Sequence, residues 1–73
     1  MLRTQRGLWK MNKLKKEREG AGLTQVQLAA RSGVSLRMIQ HYEQGFKDLS
    51  KAQARTLKRL AEALEVPMEN LIE

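Results

Sequence analysis

The sequence contains no cysteine. That excludes a disulfide framework and a thiolate metal site, two staples on which small domains often depend, and it fits a cytoplasmic chain. There is one proline, and no stretch is rich in Pro, Gly and Ser. An interdomain linker is therefore not expected, and the 73 residues read as one domain. Histidine and aspartate occur once each, as His41 and Asp48. Triad chemistry needs a base and an orienter held together in a pocket, so no enzyme, metal or cofactor is expected. No apolar run approaches the roughly 18 residues of a membrane span, and the N-terminus lacks a signal-peptide core. The basic N-terminus also lacks the long apolar face of a membrane-surface helix.

What is present in excess is positive charge. The net charge is +6 with a pI of about 10.2. Seven of the fourteen basic residues lie at or before Arg18, and none follows Arg59. Glu62, Glu65, Glu69 and Glu73 make the far end acidic; their helical spacing reads as a solvated face in preference to a metal site. A chain that is cationic at one end suits a polyanion on one side. A length of 73 residues allows only about 60% of the unfolded surface to be buried, which favours short-range helix packing.

The chain is organised around TQVQLAARSGVSLRMIQHYE, Thr24 to Glu43. Thr24 and Gln27 have the spacing of a capping box, with Leu23 and Leu28 as a hydrophobic staple. Leu28 and the small Ala29 face a neighbour. Gly33 suits a left-handed position past a helix end. Ser35 opens a second helix as its N-cap, with Val34 and Ile39 at staple positions. Ile39 and Tyr42 share one face. Helices this short are marginal alone, so flanking segments must pack on Ala29, Val34, Ile39 and Tyr42. The other face of the second helix, through Leu36, Arg37, Gln40 and His41, stays free for a DNA major groove.

This segment resembles the helix-turn-helix of the phage-repressor/Cro-like (XRE-type) transcription regulators. The matching residues are Thr24-Gln25, Leu28-Ala29, Gly33-Val34-Ser35, Ile39 and the closing Tyr42-Glu43-Gln44-Gly45. The resemblance extends from about Lys13 to Ile72. It implies an all-α, compact five-helix bundle of the lambda-repressor-like type, with the helix-turn-helix at helices 2 and 3. It also implies a structural bridge between Arg18 and Glu43.

The flanking segments fit that outline. Residues 1–12 carry Arg3, Arg6 and Lys10 with no clear periodicity. A flexible basic arm reaching along phosphates or into a minor groove is the favoured reading. A frayed terminus and a biological start at Met11 are the alternatives. Trp9 stands against a wholly disordered arm, because an indole is rarely left bare, and packing on the first helix or on a partner chain is expected of it. Residues 13–73 form the DNA-binding domain. Met11, Leu14 and Arg18 line one face of helix 1, which Gly20-Ala21-Gly22 stops. Gly45 ends the recognition helix, and Phe46 to Leu49 form a loop. Ser50-Lys51-Ala52-Gln53 reads as a second capping box, opening helix 4 with Leu57, Leu60, Ala61 and Leu64 inward. Pro67 fits the first turn of a last helix, Met68 to Ile72.

For function, the resemblance implies a sequence-specific regulator of transcription that binds double-stranded DNA. It would act as a repressor, dimeric on a palindromic operator with half-sites about 34 Å apart. Gln25 matches the family's phosphate clamp, with Gln44, Lys47 and Lys51 around the second clamp and Thr24 and Ser35 at the two helix starts. Bases would be read by Leu36, Arg37, Gln40 and His41. Arg37 suits guanine, Gln40 adenine and Leu36 a thymine methyl. The family often has polar residues where this chain has Leu36 and Met38. Phe46, Leu49, Met68, Leu71 and Ile72 are candidates for the dimer surface, with the monomer core as their alternative use. The rival reading is an antitoxin of the same fold that also masks a toxin protein.

Overall fold

The computed structural model describes residues 13–72. Four α-helices follow in order: α1 Lys13–Gly20, α2 Gln25–Ser32, α3 Leu36–Gln44 and α4 Ala54–Leu64. Two 3-10 turns, Leu49–Lys51 and Met68–Leu71, complete the set, and there is no strand among the described residues. The basic arm and Trp9 fall at 1–12, outside the described residues.

Local chemistry sets the boundaries of α2 and α3. The Thr24 hydroxyl accepts from the Gln27 N–H at 3.0 Å, while Gln27 Oε1 accepts from the Thr24 N–H at 2.8 Å. Two donors that the helix leaves without partners are thereby satisfied. Gly33 ends α2 at φ 75° and Gly45 ends α3 at φ 84°. A Cβ is unfavourable in both places. Ser35 caps α3 by accepting from the Met38 N–H at 3.1 Å. The buried Ser32 hydroxyl accepts from the Val34 N–H at 3.1 Å, a further tie across the turn.

Leu28, Ile39 and Leu60 are wholly buried, with Leu14, Tyr42, Leu64 and Leu71 around them. Helix α2 packs against both α3 and α4, and α1 against α3 and the last 3-10 turn. Lys13 Nζ also donates to the Ile72 carbonyl at 2.8 Å, joining the two ends of the described chain.

Three expectations need correction. The described residues hold four α-helices and not five. The expected last helix is a single 3-10 turn over Met68–Leu71, with Pro67 as its N-cap. Four residues suffice for the i→i+3 bonds of a 3-10 turn but not for an α-helical ladder. The capping box at Ser50-Lys51-Ala52-Gln53 does not form. Asp48 Oδ1 instead accepts from both the Ser50 N–H, at 3.0 Å, and the Ser50 hydroxyl, at 2.7 Å. With Ser50 held in that 3-10 turn, α4 begins only after Gln53, whose side chain makes no capping bond. Finally, Leu49 and Leu71 are 7% and 2% exposed and belong to the monomer core. Their burial removes them from any surface open to a second copy.

Candidate nucleic-acid interface

A basic protein binds a duplex through donors that meet phosphates and side chains that reach base edges. The residues expected from the sequence for both tasks fall on α2, α3 and the segment leading into α4. Helix α3 turns Ile39, Tyr42 and Glu43 into the core. Arg37 is exposed at its start, while Leu36, Gln40 and His41 are half-buried. The four expected base-reading residues thus fall on one side of α3 at i, i+1, i+4 and i+5, which is helical spacing.

His41 is not a bare surface residue. Its ring meets Phe46 edge to face, with centroids 5.8 Å apart at 64°. Phe46 is itself 73% exposed. The N–H groups of Phe46 and Lys47 both donate to the His41 carbonyl, at 2.9 and 3.3 Å. The loop is therefore folded back against the end of α3.

Gln25 is the first residue of α2, where the leading N–H groups lack partners inside the helix and attract anions. Its side chain is half-buried, and Nε2 donates to Glu43 Oε1 at 3.0 Å. Thr24 and Ser35 are exposed, but each hydroxyl already accepts a backbone N–H as a cap. Capping uses those oxygens as acceptors and leaves each O–H able to donate.

Glu43 is 5% exposed and Arg18 8%. Arg18 Nε donates to Glu43 Oε2 at 2.7 Å, and Nη2 to Oε1 at 3.0 Å. The two parallel bonds have the bidentate geometry that a guanidinium and a carboxylate favour. Arg18 Nη1 also donates to the Leu23 carbonyl at 2.8 Å. The bond to Glu43 raises the guanidinium pKa against the opposing effect of burial, and Arg18 stays charged. The Arg18–Glu43 contact thus takes the form that the sequence resemblance implied, tying α1 to the end of α3.

An open cleft of about 500 Å³ lies between α3 and the start of α4. Met38, Tyr42, Lys47, Asp48, Lys51 and Thr56 line it. Lys47 and Lys51 are exposed, and the uncapped N-terminus of α4 adds partial positive charge. Gln44 is exposed at the last turn of α3. Gln53 also lines this cleft, where sequence reasoning gave it only a place in a capping box. The clue is the run of polar residues before a helix, which fits a box beginning at Ser50 equally well.

Asp48 lies among these cations. Its two bonds from Ser50, side chain first and then backbone, hold its pKa below the ordinary carboxylate value, with Lys51 adding to the effect. The folded value is depressed, so its contribution to stability is present above the unfolded value of about 3.9 and is lost as pH falls through the lower folded value. An NMR titration of the Asp48 carboxyl should show a midpoint below that of an unstructured aspartate. In Ser50→Ala the midpoint should rise; an unchanged midpoint would refute the assigned cause.

No three His, Asp or Glu among the described residues are grouped to hold a metal ion. No helix of the described residues is long and apolar enough to cross a membrane. A family model described as helix-turn-helix matches residues 14–71. No curated protein and no solved structure matches the chain significantly. The matched span includes all four helices except the first residue of α1. The chain belongs to the helix-turn-helix family of DNA-binding transcription regulators, of the XRE/Cro-like type.

Proposed function

We propose that this protein is a cytoplasmic, sequence-specific repressor that binds a palindromic operator as a dimer. The observation that carries this reading is the division of α3. One side is sunk in the core with Ile39, Tyr42 and Glu43, while Arg37 stands exposed with Leu36, Gln40 and His41 beside it. Phosphate donors at the start of α2 and in the cleft before α4 flank that side, as positioning contacts should. Gln25, Gln44, Lys47 and Lys51 are the main phosphate contacts, assisted by the caps Thr24 and Ser35. Arg37 reads guanine through O6 and N7, Gln40 reads adenine, and Leu36 meets a thymine methyl. His41, braced by Phe46, supplies a further base or phosphate contact. For the dimer, Phe46 and Met68 are the exposed large apolar residues of the chain's second half among those described, and Ile72 is half-buried.

The test is binding to the DNA upstream of the protein's own gene against a scrambled duplex, over a salt series. A preference for the upstream DNA that persists near roughly 150 mM salt, with a steep salt slope, is the expected result. Arg37→Ala should weaken the specific site by about 1–3 kcal/mol and leave scrambled DNA nearly unaffected. Lys51→Ala should weaken both duplexes and reduce the salt slope by roughly one. Gln25→Ala should weaken both with little change of slope, because a neutral amide displaces no counterion. Equal loss on both duplexes in Arg37→Ala would overturn the assignment of α3 as the reading helix.

A further inference from the structure

The side chain of Gln25 is already held before any DNA arrives. A carboxylate can only accept, so the bond to Glu43 at 3.0 Å fixes which end of the Gln25 amide faces inward. The nitrogen uses one N–H on Glu43, and its second N–H is left for another acceptor. Glu43 itself is fixed, because Arg18 grips both of its oxygens at 2.7 and 3.0 Å. Arg18 in turn is tethered to the Leu23 carbonyl at 2.8 Å, one residue before the cap of α2. Three elements thus meet on one carboxylate: α1 through Arg18, α2 through Gln25 and α3 through Glu43.

We propose that Glu43 is a positioning residue for the DNA contact, holding the Gln25 amide so that its second N–H donates to a phosphate at the start of α2. The proposal rests on the protein's binding a duplex through α2 and α3. Arg18 is essential to the arrangement in a second way. It neutralises a carboxylate that would otherwise repel the phosphate from behind Gln25. A glutamine free in solution must be ordered when it binds; one already ordered is not, and binding gains accordingly.

The experiment is a double-mutant cycle on duplex affinity with Gln25→Ala, Glu43→Gln and the pair, each checked for folding by its thermal melt. Glu43→Gln keeps the shape but replaces one acceptor oxygen with an NH2 group. Arg18, which donates to both oxygens, loses a bond in either orientation, and Gln25 loses its own when the NH2 stands in place of Oε1. Glu43→Gln is expected to weaken DNA binding about 2- to 12-fold, the ordering cost of one long side chain. In the Gln25→Ala background the same change should have little effect, which a purely structural role for Glu43 does not predict. Additive losses would overturn the proposal while leaving DNA binding itself intact. A wild-type chain that binds no duplex would overturn both.

A measurement on the unmutated protein guards against loss of folding in Glu43→Gln. The Gln25 side-chain amide should have an NMR order parameter near that of rigid backbone, about 0.85. A value in the flexible range, below about 0.6, would overturn the proposal whatever the variants do.

Discussion

Glu43→Ala is expected to destabilise the domain by about 3–5 kcal/mol, because it deprives the buried Arg18 guanidinium of its buried carboxylate and leaves it the Leu23 carbonyl and the exposed Glu19, 4.0 Å away. Arg18 is 8% exposed and gives two of its bonds to Glu43. A single core in a chain of this size rarely supplies more than about 3–5 kcal/mol. The variant should therefore be largely unfolded at 37 °C, and its loss of DNA binding should follow from unfolding. Circular dichroism melts with and without the substitution check this. A second variant separates the charge from the space. Replacing the pair together, Arg18→Met with Glu43→Leu, removes both charges and should recover most of the lost stability, since apolar substitutes for a buried pair are often neutral or better. It should not restore the Gln25 contact. A Glu43→Ala protein that melts within a degree or two of the parent would show that Arg18 finds water or another acceptor.

Ile39→Ala is the second large effect, at about 2–5 kcal/mol. Ile39 is wholly buried and belongs to the same core as Leu28 and Leu60. Truncation removes apolar contact and leaves a cavity that short helices can close only in part. Urea melts should show a lower midpoint with a similar slope, the sign of lost stability without a change in the denatured state. Ile39→Val should lose only about 0.5–1.5 kcal/mol and keep its DNA affinity. Arg37, two positions earlier on the same helix, should behave in the opposite way, with affinity lost and the melt unchanged. An Ile39→Ala melt that matches the parent would mean that α3 turns a different face to the core, with Ile39 outside it.

These contrasts show which parts of the protein are legible in the sequence. The start of α2 is, because Thr24 and Gln27 close their box within four residues and need nothing from outside. The ends at Gly33 and Gly45 are legible for the same reason, as left-handed positions that glycine fills most easily. The inward set of Leu28, Ile39, Tyr42, Leu60 and Leu64 follows from helical spacing. The Arg18–Glu43 pair is available only through family resemblance, as 25 residues separate the partners.

The segment from Asp48 to Gln53 defeats sequence reasoning because two local solutions compete. A serine can cap the helix that follows it or bond to an aspartate two residues back, and each looks satisfactory alone. The buried Leu49 accompanies the second, and α4 starts later in consequence. Leu49 and Leu71 are ambiguous for a related reason. An apolar side chain in a loop or near a chain end serves a monomer core and a dimer surface equally well in sequence. Its burial depends on neighbours that only the closed bundle supplies.

By itself, then, the sequence determined the helical class, the position of the turn, the caps of α2 and α3 and the basic character that suits DNA. All of these are written in interactions spanning four residues or fewer, or in composition. The tertiary structure decided which apolar residues stay exposed, where α4 begins, and that Gln25 rests on Glu43. The burial of Leu49 and Leu71 and the bond from Gln25 to Glu43 rest on contacts between residues far apart in the chain, which exist only in the closed bundle. The start of α4 turns on which of two local bonds Ser50 makes within that bundle.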